Sequence, residues 1–178
     1  MNKIKIFSIF LLLFCVGCFL KGASNPGKVR GYSPGFVKTD KGSYAVGPLP
    51  TSWRRGRVGN YKVLVFYNDA YQSSIETDAF CDQSFDDASL RVLTNHLHAS
   101  LSKPKTRSET PMTLDGRGAL RSVAEGTVDG IPMVVDSVVI KKDNCLFDFV
   151  LISKPSFYTS ATQDFESFFE GFRYTGDI

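Results

Sequence analysis

His96 and His98 are the only histidines in the 178-residue chain. Any nucleophile activation or imidazole–metal chemistry near neutral pH therefore has to draw on one of them. They stand among leucines at helical spacing, and on a helix positions i and i+2 point about 200° apart, so the two rings cannot chelate one ion together. No Cys or His flanks them at ligand spacing, and both are expected on the surface. The chain has no G-x-S-x-G elbow, no phosphate-binding loop and no dinucleotide glycine fingerprint. A hydrolase triad would need a distant Ser or Asp that nothing in the sequence marks. No catalytic constellation, metal site or cofactor is expected. One charge does call for a partner: Asp148 lies in the apolar run Leu146–Ile152, and an arginine fork suits a carboxylate. Arg117 or Arg121 is the expected mate in a structural ion pair. Glu125 and Asp136 are a candidate pair across the hairpin, while alternation also lets them face solvent.

The four cysteines sort once the first eighteen residues are read. Lys3 and Lys5 precede a hydrophobic run from Ile6 to Val16 that ends at Gly17-Cys18. A cationic head, an apolar middle and a small residue before the cut have the form of a secretory signal, and the run is shorter than the roughly 20 apolar residues a spanning helix needs. Val16-Gly17-Cys18 resembles the lipobox of bacterial lipoproteins, in which the cysteine becomes the acylated first residue. Cys15 stands where leucine is usual. On this reading residues 1–17 are removed, Cys18 takes the lipid, and Cys81 and Cys145 remain as a disulfide pair in an oxidising compartment. A pair of free buried thiols is the alternative.

Net charge is +3, and removal of residues 1–17 takes Lys3 and Lys5 with it, leaving +1. Overall basicity therefore gives no support to nucleic acid as a partner. The charges are unevenly spread: residues 18–62 carry nine basic side chains and one acid, whereas residues 63–178 carry ten basic and seventeen acidic ones. Lys28, Arg30, Arg54, Arg55 and Arg57 are candidates for a patch that rests on anionic head groups beside a lipid anchor. Simple solvation of these side chains, or neutralisation by the acidic remainder, is the competing reading.

Asn25-Pro26-Gly27 and Ser33-Pro34-Gly35 break any periodic pattern, so residues 18–41 read as the lipidated cysteine and a flexible tether. Residues 42–178 read as one α+β domain. A short strand is expected over 42–46, and a hairpin over 61–67 and 74–80. A helix should open at Ser84 with Asp87 as its capping box and carry Leu90, Leu93, Leu97 and Leu101 on one face. Polar residues 103–113 read as an exposed loop. Three strands then form a meander through Asp129-Gly130, the dipeptide of a type I′ turn, and Asp143-Asn144. A closing helix should start at Ser160, with Phe165, Phe168, Phe169 and Phe172 as one stripe packed on the sheet. The result is an antiparallel sheet of about five to six strands with two main helices on it.

This order, the meander and the closing helix that ends in Phe169-Glu170-Gly171-Phe172 resemble the PsbP-like and DcrB-like α/β sandwich proteins over roughly residues 42–174. The resemblance implies a small exported, membrane-associated accessory factor without catalysis, facing the periplasm. Its partners would be membrane lipid through acylated Cys18 and an envelope protein. No functional residue of that group is matched here. The alternative expectation is a small-ligand-binding module that uses a groove between sheet and helices.

Overall fold

In a computed structural model the described residues are 28–56, 63–81, 85 and 87–176. Among them the chain runs through β1 (Val29–Ser33), β2 (Phe36–Thr39), β3 (Gly42–Ala45), β4 (Arg54–Arg55), β5 (Leu64–Asn68) and β6 (Ser73–Phe80). Then follow α1 (Leu90–Leu97), β7 (Ser102–Leu114), β8 (Arg117–Val128), β9 (Ile131–Lys142), β10 (Cys145–Ser153), α2 (Pro155–Glu170) and β11 (Arg173–Gly176). All described strand pairs are antiparallel, in a seven-stranded sheet of order β4-β5-β6-β10-β9-β8-β7 and a four-stranded sheet of order β1-β2-β3-β11. The α+β class is as expected, but the strand count exceeds five to six.

Three two-residue turns set the register of the large sheet. Asp115-Gly116, Asp129-Gly130 and Asp143-Asn144 each have positive φ at both positions, from 46° to 79°. This is the type I′ conformation, whose twist matches that of the strands it joins. Long hairpins β7–β8–β9–β10 result, with Arg121 opposite Val138 and Val138 opposite Phe149.

Side-chain alternation then gives the large sheet two apolar faces. On one, Phe147, Phe149 and Leu151 of β10 join Val138, Ile140, Ile75 and Ala79. α2 covers this face with Phe165, Phe168 and Phe169, and Phe172 just beyond it completes the stripe; all four are fully buried. The ring pairs Phe149–Phe168 and Phe149–Phe172 lie 6.2 and 5.4 Å apart in edge-on geometry. The small sheet shares this face through Val37 and Tyr44; Tyr44 packs on Phe147, Phe149 and Phe172 and hydrogen-bonds Thr77. The opposite face is covered on its β8–β9 side by α1 and the turn after it, where Leu93 packs on Val139 and Leu146, and Leu101 on Ala124, Val135 and Val150. The C-terminal end of α2 meets the chain after β3 closely: Gly47 N donates to Phe168 O at 2.8 Å, and a Cβ on Gly171 would stand 2.1 Å from Gly47 N.

Four element boundaries differ from the sequence expectation. Residues 29–39 are strands β1 and β2, not tether, because they pair with each other and β3 completes the ladder of β2. Residues 103–113 belong to β7, an edge strand open to solvent, not a loop. Pro104, Pro111 and two register irregularities are tolerated there, since one edge of β7 has no ladder to complete. α1 begins at Leu90 with Ser89 as its cap, accepting from Val92 N at 3.3 Å; Ser84 lies outside the described residues. α2 begins at Pro155, whose fixed φ suits the first helical position, five residues before Ser160. Cys81 and Cys145 are joined in a disulfide across the ends of β6 and β10.

Candidate functional site

Arg121 does not pair with Asp148. It points to the α2 face, where its Nε and Nη2 reach Asp136 at 3.0 and 2.6 Å and its Nη1 reaches Glu166 at 2.6 Å. Tyr158 donates to the same Asp136 oxygen at 2.9 Å, and the guanidinium lies 5.5 Å from the Phe169 ring centre. Asp136 is wholly buried, contrary to a solvent-facing position, and Glu125 pairs with Arg107 at the surface. Burial works against the Arg121 charge, but Asp136 and Glu166 outweigh it and hold its pKa above the ordinary value. Burial, then the Asp136 charge, push the Tyr158 phenol up as well. The cluster is a four-residue tie between sheet and helix, buried at Asp136 and open to solvent at Glu166.

Asp148 is on the other face. Its row across the sheet reads Leu120, Val139, Asp148, Asp78, so its nearest cross-strand neighbour is a second carboxylate. Arg121 lies one residue from that row and so points the opposite way. Arg117, at the exposed start of β8, is not paired with it either. Asp148 is 8% exposed and its Oδ1 has no hydrogen-bond partner among the described residues. Burial first, then the charge of Asp78, push its pKa up to about 7. Burial likewise lifts Asp78 to about 6, against the pull of the Ala79 N–H that it accepts at 2.8 Å. Two carboxylates held in this way retain a proton near neutral pH.

His98 is buried, at 3% exposure, while His96 is exposed. His98 Nε2 lies 3.0 Å from Ser137 Oγ, and Ser137 is itself fully buried. This is the geometry of a histidine and a serine in hydrogen-bond contact, but the Ser137 hydroxyl donates to Ser122 O at 3.2 Å. Both side chains are buried, at 3% and 0% exposure, so the pair is enclosed within the sheet–α1 interface. Burial lowers the His98 pKa, so the ring is neutral. Helical spacing alone hides this pair, because His98 follows α1 in a short 3-10 turn that swings it inward. Among the described residues no group of three or more His, Cys, Asp or Glu is arranged to hold a metal.

Arg30 pairs with Asp40, Arg54 pairs with Asp69, and Arg55 stacks over the Tyr32 ring at 5.7 Å. Lys28 opens the described chain, and Cys18 and Arg57 lie outside the described residues. One surface with room for a partner is the outer face of the small sheet. A shallow concavity of ≈ 580 Å³ runs across all four strands, with Gly31, Ser33, Phe36, Lys38, Ser43 and Thr175 in its lining. The expected groove between α2 and the large sheet is instead packed with aromatic rings.

A scan against protein-family models and a search of curated proteins find no match. Solved structures do match. Cyanobacterial PsbP (CyanoP) from Synechocystis aligns with a TM-score of 0.54 and 12% identity, covering 86% of this chain and 96% of that one. LpqN of Mycobacterium tuberculosis, described as involved in cell envelope biogenesis, aligns with a TM-score of 0.54 and 12% identity, over 75% of this chain and 85% of that one. A Bacteroides thetaiotaomicron protein aligns with a TM-score of 0.57 and 15% identity, over 85% of this chain and only 50% of its own length. At these identities the likeness establishes a shared PsbP-like fold.

Proposed function

We propose that this chain is an exported lipoprotein, acylated on Cys18, whose folded part works as a non-enzymatic accessory domain of the bacterial cell envelope on the periplasmic side. What carries the reading is that the buried polar groups of the α2 and α1 faces are spent on the fold, while the remaining cluster, Asp148 with Asp78, is a carboxylate pair with neither a nucleophile nor a metal-holding set beside it among the described residues. Asp136, Ser137 and His98 are buried with their hydrogen bonds spent on the fold, so the domain offers surfaces instead of a reaction centre. The disulfide fits an oxidising compartment. No helix among the described residues is long and apolar enough to cross a membrane. The structural likeness to LpqN, described as involved in cell envelope biogenesis, supports the same setting. A second reading, a small-ligand module, is favoured only by the concavity on the small sheet.

The test is a pull-down from native membranes with the full chain, together with mass analysis of its N-terminus. The expected product starts at Cys18, carries acyl mass and brings an envelope protein with it. A product that keeps Met1 and carries no lipid overturns the proposal.

A further inference from the structure

We infer that the outer face of the small sheet docks on an anionic lipid surface, with Phe36 entering the head-group region and Lys38 and Lys41 meeting the phosphates. Register puts Phe36 between Ser33 and Ala45, and Lys38 between Gly31 and Ser43. An aromatic ring and an ammonium thus project from a floor of small residues, and the ring is 58% exposed. Interior strand positions on the inward side, Val37 and Tyr44, are buried as usual, so Phe36 is not a core residue that packed poorly. Lys41 sits at the adjacent β2–β3 turn and is exposed. Neither lysine has an ion-pair partner among the described residues. The nearest acid in the chain, Asp40, is engaged with Arg30. The face therefore presents one apolar anchor and uncompensated positive charge, the combination that suits an anionic interface.

Position in the chain selects lipid over a protein partner. β1 begins at Val29, eleven residues after Cys18. Whatever conformation those residues take, they span at most about 40 Å. This argument rests on the proposed acylation of Cys18: with acyl chains in the bilayer, the small sheet is the part of the domain held nearest to it. A weak surface then suffices, because tethering makes docking an intramolecular step.

The experiment uses the full chain, processed and acylated in a bacterial host, verified by mass, and reconstituted in vesicles of phosphatidylglycerol and phosphatidylcholine with brominated acyl chains. Phe36→Trp adds an indole at the face, while Trp53 is buried and provides the background signal in the wild type. Expected is blue-shifted added emission that bromolipid quenches, with the wild-type signal little changed. Lys38→Gln with Lys41→Gln should weaken docking by about 30-fold in its equilibrium constant if each lost lysine has the usual worth near an anionic surface. That double variant should still sediment with the vesicles through its acyl chains. An acylated, vesicle-bound Phe36→Trp chain whose added emission is unquenched overturns the docking face and leaves the anchor standing. Cross-linking of two chains through this face, without quenching, replaces lipid by a second copy and also overturns it. Absence of acyl mass overturns the anchor and the proximity argument with it.

Discussion

Asp148→Asn should make the domain more stable at neutral and alkaline pH, although it alters a buried side chain in the middle of the sheet. In the unfolded chain an aspartate titrates at about 3.9; in the fold Asp148 is held at about 7 by burial and by Asp78 opposite it. Between those values the native state binds more protons than the unfolded state. Stability is therefore fully present below about pH 4, falls as pH rises through the folded value, and is level above it. A displacement of that size corresponds to on the order of 4 kcal/mol. Asparagine keeps the shape, removes the charge and offers an N–H to Asp78. Since the burial of Asp78 and of Glu76, also raised by burial, persists in the variant, the expected gain near pH 8 is smaller, about 1–3 kcal/mol. The assay is urea unfolding of wild type and variant between about pH 5 and about pH 8. The difference between the two chains is the quantity to read. It cancels the opposing contribution of His98, whose lowered pKa favours folding only while the ring stays neutral as pH falls through its unfolded value. It also cancels Asp115: burial raises its pKa, but Lys142 and the Tyr174 N–H bring it below the ordinary value, so its stabilisation is lost on acidification. A variant no more stable than wild type at about pH 8, or a difference that does not shrink toward about pH 5, would refute the buried-carboxylate reasoning.

Three further outcomes follow from the packing. Cys81→Ser with Cys145→Ser, or reduction of the native chain, should cost about 4 kcal/mol in the chain-entropy account of a loop this long; thiol titration under denaturation should find no free thiol at these two positions before reduction. Phe168→Ala should lower stability by about 3–5 kcal/mol, because the ring is fully buried against Phe66 and Phe149; an unchanged unfolding midpoint would contradict the docking of α2. Asp136→Ala should cost about 3–5 kcal/mol by leaving Arg121 half-buried with only Glu166, and Arg121→Met combined with it should recover part of that loss in a double-mutant cycle.

Local features are legible in the residues alone. Asp129-Gly130 and Asp143-Asn144 force their turns because few other residues accept positive φ twice in succession, and Phe165, Phe168, Phe169 and Phe172 declare a buried stripe through helical spacing alone. The Cys81–Cys145 pairing followed from elimination within the export reading, and the structure places the two opposite each other. Long-range packing set the rest. Alternation states that Asp148 and its neighbours point opposite ways, but both faces of this sheet are covered, so parity alone could not say which face meets Arg121. That choice depended on α2 bringing Glu166 and Tyr158 over Asp136. Residues 29–39 carry no periodic signal of their own; they became strands because they pair with each other and β3, itself paired with β11 from the far end of the chain, completes the ladder of β2. β7 was hidden for the complementary reason: an edge strand that faces water on nearly all its length has no apolar alternation to betray it, and its ladder to β8 is backbone chemistry that side-chain pattern does not record.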